Sequence, residues 1–116
     1  MHELEVTESV LRIVLKHARL NGVRRVISVH LRIGELSSLE APWIQRYFDR
    51  LSTGTIADGA RISVGTNPVR LECAPCGTVF QADIRARGTV SCPLCRQTDL
   101  RLVSGHEYCV ESIEAV

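Results

Sequence analysis

Four of the five cysteines fall in two C-x-x-C pairs, Cys73 with Cys76 and Cys92 with Cys95. Each pair can fold as a tight knuckle that aims two thiolates at one point. A short hairpin between the knuckles brings four soft sulfur ligands together, the tetrahedral cage that Zn(II) prefers. The flanking residues suit that geometry. Pro75 precedes Cys76, Gly77 follows it, and Pro93 lies inside the second pair, so both loops carry turn chemistry. Two other chemistries use the same residues. Two disulfides require an oxidising compartment, and a C-x-x-C redox motif normally occurs once, at a strand–helix junction. The doubled, ribbon-like arrangement favours the metal.

The histidines offer a different donor set. Methionine is normally trimmed only before a small residue, so His2 is expected to leave Met1 in place. The amine of Met1, the backbone amide of His2 and its imidazole can then wrap one ion in fused chelate rings, with the Glu3 carboxylate nearby. Nitrogen-rich ligation of this kind suits Ni(II) or Cu(II) better than a sulfur cage does. The bland alternative is a histidine that merely happens to follow the start. Of the others, His17 falls within the apolar arc of a predicted helix and reads as a packed core histidine. His30 lies on the polar face of a predicted strand, and His106 reads as a loop histidine beside the cysteine ribbon. Cys109, in an apolar segment away from the pairs, reads as a small buried hydrophobe.

The elements that must position these groups are legible from periodicity. Residues 3–21 carry Glu5, Glu8, Arg12, Lys16 and Arg19 on one side of a helix and apolar residues over the rest. Acids crowd its start and bases its end, as the helix dipole favours, and Asn21-Gly22 supplies a stop. The wide apolar arc predicts contact with both a sheet and a second helix. Val26–Ile33 alternates as a strand, with Ile27, Val29, Leu31 and Ile33 expected on one face. A second helix is predicted from Glu40–Pro42 to about Leu51, with Trp43, Ile44, Tyr47, Phe48 and Leu51 as its buried stripe. Ala60, Ile62 and Val64 suggest a second strand, and Val69 and Leu71 lead into the first knuckle. Leu100–Val103 leaves the second knuckle, Ser104-Gly105 reads as a hinge, and Tyr108–Ala115 as a closing strand that needs a partner.

The predicted fold is α+β: two helices on a small three-stranded mixed sheet, with an inserted zinc-ribbon domain held by the two knuckles. Residues 1–67 plus 105–116 form a discontinuous α/β domain and residues 68–104 the ribbon. With 14 basic and 13 acidic residues the net charge is +1, so no overall field attracts nucleic acid or anionic lipid. No apolar run approaches the roughly 18 residues of a membrane span. Charged residues stand near the N-terminus where a signal peptide needs an apolar core, so a cytoplasmic protein with reduced thiols is expected.

Taken together, Met1-His2-Glu3 opening an amphipathic helix, Ile33-Gly34-Glu35-Leu36-Ser37 ending the first strand, the paired C-x-x-C and a closing Ser112-Ile113-Glu114 resemble the HypA/HybF nickel chaperones of NiFe-hydrogenase maturation. The likeness runs over essentially the full length. It implies a small cytosolic protein, not an enzyme, with a nickel-binding α/β domain and a structural Zn(II) domain. It implies delivery of Ni(II) as cargo to the hydrogenase large subunit precursor together with a nickel-insertion GTPase, and in some organisms to urease maturation proteins. Carried over by position, His2 is the nickel ligand through its side chain and amide, with Met1 and Glu3 completing or flanking the site. Glu40 stands where the family often has an acid near the nickel. Cys73, Cys76, Cys92 and Cys95 correspond to the zinc ligands. A monomer or weak dimer is expected, without nucleic acid or membrane. The C-terminal Glu114-Ala115-Val116 is less acidic and strand-like than the family's usual end, which leaves the last strand's length open.

The alternative from another class is a zinc-ribbon module docking nucleic acid or a protein partner. Arg70, Arg85, Arg87, Arg96 and Arg101 cluster in the ribbon. Against a nucleic-acid role, Phe80 is the ribbon's one aromatic, and Glu72, Asp83 and Asp99 dilute the charge.

Overall fold

The computed structural model describes residues 3–83 and 88–116. Its elements follow in the order α1 (Glu3–Leu20), β1 (Val26–Gly34), α2 (Ala41–Leu51), β2 (Arg61–Asn67), β3 (Arg70–Cys73), β4 (Val79–Gln81), β5 (Leu100–Ser104) and β6 (Tyr108–Ala115). The strands make two sheets, ordered β2-β1-β6 and β4-β3-β5. The first is mixed, because β1 pairs in parallel with β2 and antiparallel with β6. The closing strand therefore returns to the sheet of the first half, and the cysteine segment leaves from β2 and re-enters at β6, the two strands that flank β1.

One core holds the two helices on this mixed sheet. Val6, Val10, Val14 and Ala18 recur every fourth residue on α1 and bury a stripe against Val29, Leu31 and Ile33 of β1 and Ile44 and Phe48 of α2. The helix ends as its sequence directs, with the amides of Asn21 and Val23 donating to the carbonyls of His17 and Ala18.

Connectivity fixes which ends meet. A helix linking two parallel strands runs antiparallel to them, so α2 opposes β1; α1, which turns into β1 through residues 21–25, opposes it as well. The two helix N-termini, at Glu3 and Ala41, therefore share one pole with the C-terminal ends of β1 and β2. The crossings to the second sheet, at Asn67 and Tyr108, leave from that same pole.

Several side chains stand elsewhere than periodicity predicts. Ile27 is 42% exposed while Val26 is fully buried. Between Val26↔Ala115 and Ser28↔Glu114 the register slips by one, so Ile27 is an extra, bulged residue that shifts the alternation of β1. Trp43, expected in the buried stripe of α2, is 44% exposed. It stacks on Tyr47 with centroids 6.0 Å apart, and the Arg46 guanidinium lies 5.2 Å from its ring centre. Ile44 and Phe48 carry the burial of that helix. His17 is exposed and not a core histidine, whereas Thr7 is fully buried. The Thr7 hydroxyl donates to the Glu3 carbonyl at 2.6 Å, which makes a polar residue acceptable at a core position. Cys109 is also exposed, because β6 pairs it opposite Arg32 on the polar face of the sheet.

Candidate metal centre

The two knuckles are built alike. In the first, the Cys73 amide donates to the Thr78 carbonyl at 2.8 Å and the Gly77 amide returns to the Cys73 carbonyl at 2.7 Å. In the second, the Cys92 amide donates to Gln97 and the Arg96 amide to Cys92, both at 2.9 Å. Gly77 (φ +75°) and Arg96 (φ +63°) occupy the same left-handed corner, four residues after the leading cysteine. Glycine meets that demand without strain, whereas the second knuckle imposes it on an arginine. The amide of Ala74 also donates to the Asp99 carbonyl at 3.0 Å, which ties the first knuckle to the exit of the second.

The result is one cage. Cys73 Sγ and Cys95 Sγ lie 3.4 Å apart, Cys76 Sγ and Cys92 Sγ 3.6 Å, and all four sulfurs fall within 4.8 Å of one another. A tetrahedron with Zn–S bonds of about 2.3 Å has edges of about 3.8 Å, so these separations bracket what one zinc ion requires. They are far longer than a disulfide's S–S bond of about 2.05 Å. Cys73 and Cys92 are buried and Cys76 and Cys95 exposed, so the cage has an inner and an outer side.

The electrostatics call for a cation. At Cys73 the Cys76 amide favours the thiolate, but burial and the adjoining sulfurs of Cys95, Cys76 and Cys92 outweigh it and push the thiol up to about 12. Cys76 goes the other way. The Thr78 hydroxyl, with Oγ1 3.2 Å from Sγ, and the Thr78 backbone amide bring its thiol down to about 6. The Cys95 amide likewise holds Cys92 below its ordinary value, against burial. Crowded thiolates resist joint ionisation, and a bound dication removes that resistance.

Among the described residues, these four cysteines are the group in which three or more metal-ligating side chains meet. Glu3 opens α1, and Glu40 precedes α2 with an extended backbone (φ −111°, ψ 121°) and makes no side-chain cap bond. They share the pole defined by the two helix N-termini. Met1 and His2 lie outside the described residues, as do Arg85 and Arg87 of the ribbon's basic cluster. Arg101 of that cluster is paired with Glu72. No helix among the described residues is long and apolar enough to cross a membrane.

A mixed α/β sheet interrupted by a four-cysteine ribbon defines a small two-helix protein with a metal centre compatible with zinc. Residues 1–115 match the family described as HypA, hydrogenase/urease nickel incorporation metallochaperone. Among named hydrogenase maturation factors HypA, the chain is 38% identical over 115 residues to that of Geobacter metallireducens and 34% identical over 115 residues to that of Caldanaerobacter subterraneus subsp. tengcongensis, in both cases covering 98% of each chain. A solution structure of HypA protein superposes with a TM-score of 0.80 at 25% identity, covering 100% of this chain and 97% of that one. The solution structure of the Ni metallochaperone HypA from Helicobacter pylori superposes with a TM-score of 0.73 at 24% identity, covering 100% and 98%, and shares the fold. The chain belongs to the HypA family of nickel-incorporation metallochaperones.

Proposed function

We propose that this protein carries Ni(II) on its N-terminus and releases it to the hydrogenase large subunit precursor, acting with a nickel-insertion GTPase in the cytoplasm. The family match carries the reading, because it spans residues 1–115 and so includes Met1, His2 and Glu3. His2 supplies imidazole and amide nitrogen, the Met1 amine and Glu3 complete or flank the set, and Glu40 adds an acid at the same pole. The urease branch named by the family is the second client to test.

The two coordination chemistries divide the work. In this reading Cys73, Cys76, Cys92 and Cys95 hold a structural Zn(II), and residues 68–104 form its domain, inserted into the discontinuous domain of residues 1–67 and 105–116. Four thiolates fill zinc's coordination and leave no open position, so the ion holds the knuckles folded and takes no part in transfer. A site at a chain end, with few protein ligands, can give its ion up to a stronger acceptor. Its amine must lose a proton to bind, so nickel affinity falls on acidification.

The test is metal content together with Ni(II) titration of the wild type and His2→Ala. Loss of stoichiometric nickel binding with one zinc retained per chain is the expected result. Equal nickel binding by the two proteins would overturn the assignment.

A further inference from the structure

Two single strands join the sheets, and small units connected in that way move relative to one another unless something holds them. Here a chain of polar groups runs through both crossings. The Arg32 side chain lies over Gly65, its Nη1 only 2.5 Å from where a side-chain carbon would begin, so a larger residue there would push the guanidinium aside. Arg32 donates from Nε to Asn67 Oδ1 at 2.9 Å and from Nη2 to the Thr66 carbonyl at 3.0 Å. Asn67, the last residue of β2, donates in turn from Nδ2 to Glu107 Oε1 at 3.2 Å. The other oxygen of Glu107 accepts the amides of Gly105 at 2.8 Å and His106 at 3.0 Å. One carboxylate thus grips the outgoing and the returning strand together.

Backbone bonds tighten the same point. Glu35 donates to the Asn67 carbonyl at 2.9 Å, Gly34 to the Glu107 carbonyl at 2.7 Å and Leu36 to the Gly105 carbonyl at 2.6 Å. The Ser104 hydroxyl donates to the Pro68 carbonyl at 3.1 Å, and Gly105 packs directly on buried Val69. Bonds to an ionised group are the stronger kind, and a connected set of them resists bending better than isolated turns do.

We propose that the Arg32–Asn67–Glu107 network is a latch that sets the angle of the cysteine ribbon against the two-helix domain. Glu107 is its centre, because its side chain bonds to both crossings. The ribbon and the pole bearing both helix N-termini are then held in one fixed relation, whatever ion either of them carries.

The test uses the full-length zinc-loaded chain and amide residual dipolar couplings in wild type, Glu107→Ala and Asn67→Ala. In the wild type, couplings from both sheets fit a single alignment tensor. In either variant the ribbon's tensor magnitude falls clearly below that of the two-helix domain, as expected for a unit free to move on two tethers. Loss of stability alone would lower the melting point and leave the two tensors equal. Equal tensors in both variants, or unequal tensors already in the wild type, overturn the latch. Collapse of amide dispersion in both variants overturns it too, since the network would then be holding the fold and not the angle.

Discussion

Substituting Gly34 by alanine isolates one close approach of two backbones. A Cβ there would stand 2.2 Å from the Gly105 carbonyl carbon, 2.3 Å from its oxygen and 2.5 Å from the His106 nitrogen. Carbon–carbon contact is comfortable only from about 3.5 Å, so the gap must open by about 1 Å. All three obstacles are backbone atoms on the returning strand, and none can rotate away. Opening the gap breaks the Gly34-to-Glu107 and Leu36-to-Gly105 bonds. Two such bonds contribute about 1 kcal/mol each, and overpacking costs a further 1–3 kcal/mol or so. Gly34→Ala should therefore lose about 3–5 kcal/mol, a large part of the roughly 5–15 kcal/mol that holds a typical domain. Urea denaturation of the zinc-loaded protein measures the loss, and amide shifts of Leu36, Gly105 and His106 report where it acts. A loss below about 1 kcal/mol with those shifts unchanged would refute the geometry.

Other expectations follow from single atoms. Ser52 Oγ is buried without a hydrogen-bond partner among the described residues, so Ser52→Ala should gain about 1 kcal/mol in the same denaturation assay, and a loss would show the hydroxyl to be satisfied. In the metal-loaded protein, exposed Cys109 should be the one thiol that reacts rapidly with Ellman's reagent; a chelator should then release four more. Several fast thiols before chelation would instead favour a dithiol redox protein. The Gly105 amide, with the Glu107 and His106 amides and Asn67, holds the Glu107 carboxyl below its ordinary 4.5. Its contribution is complete above the unfolded value and is lost as pH falls through the lower folded value, so Glu107→Gln should show a shallower acid limb of stability. Identical acid limbs in the two proteins would refute that linkage.

Much of this arrangement is legible in the chain because local rules act alone there. The two C-x-x-C pairs specify their knuckles through residues next to the cysteines, and the i, i+4 stripe of α1 needs no long-range information. The errors arise where a distant element decides. Only pairing with β6 shows that Ile27 is bulged, and only that register puts Cys109 opposite Arg32 on the polar face. Trp43 matches a buried stripe by type, yet Ile44 and Phe48 already fill the interface and the ring stacks outside. Glu107 is invisible to pattern reading, since its partners lie at residue 67 and along its own backbone. Sequence likeness, and not geometry, singles out His2.

The position of β6 has a consequence for how the chain folds. The strand nearest the C-terminus pairs with β1, so the mixed sheet cannot close until the whole cysteine segment has been made. While that segment is loose, joining Asn67 to Tyr108 closes a loop of roughly forty residues. Once the ribbon is folded, Arg70 lies opposite Ser104, and only about seven residues of free path remain. The entropy of closure then falls by about 1.5 kcal/mol. A metal ion captured by the cysteines is thereby felt in a sheet it never touches, as an advance in the order of folding.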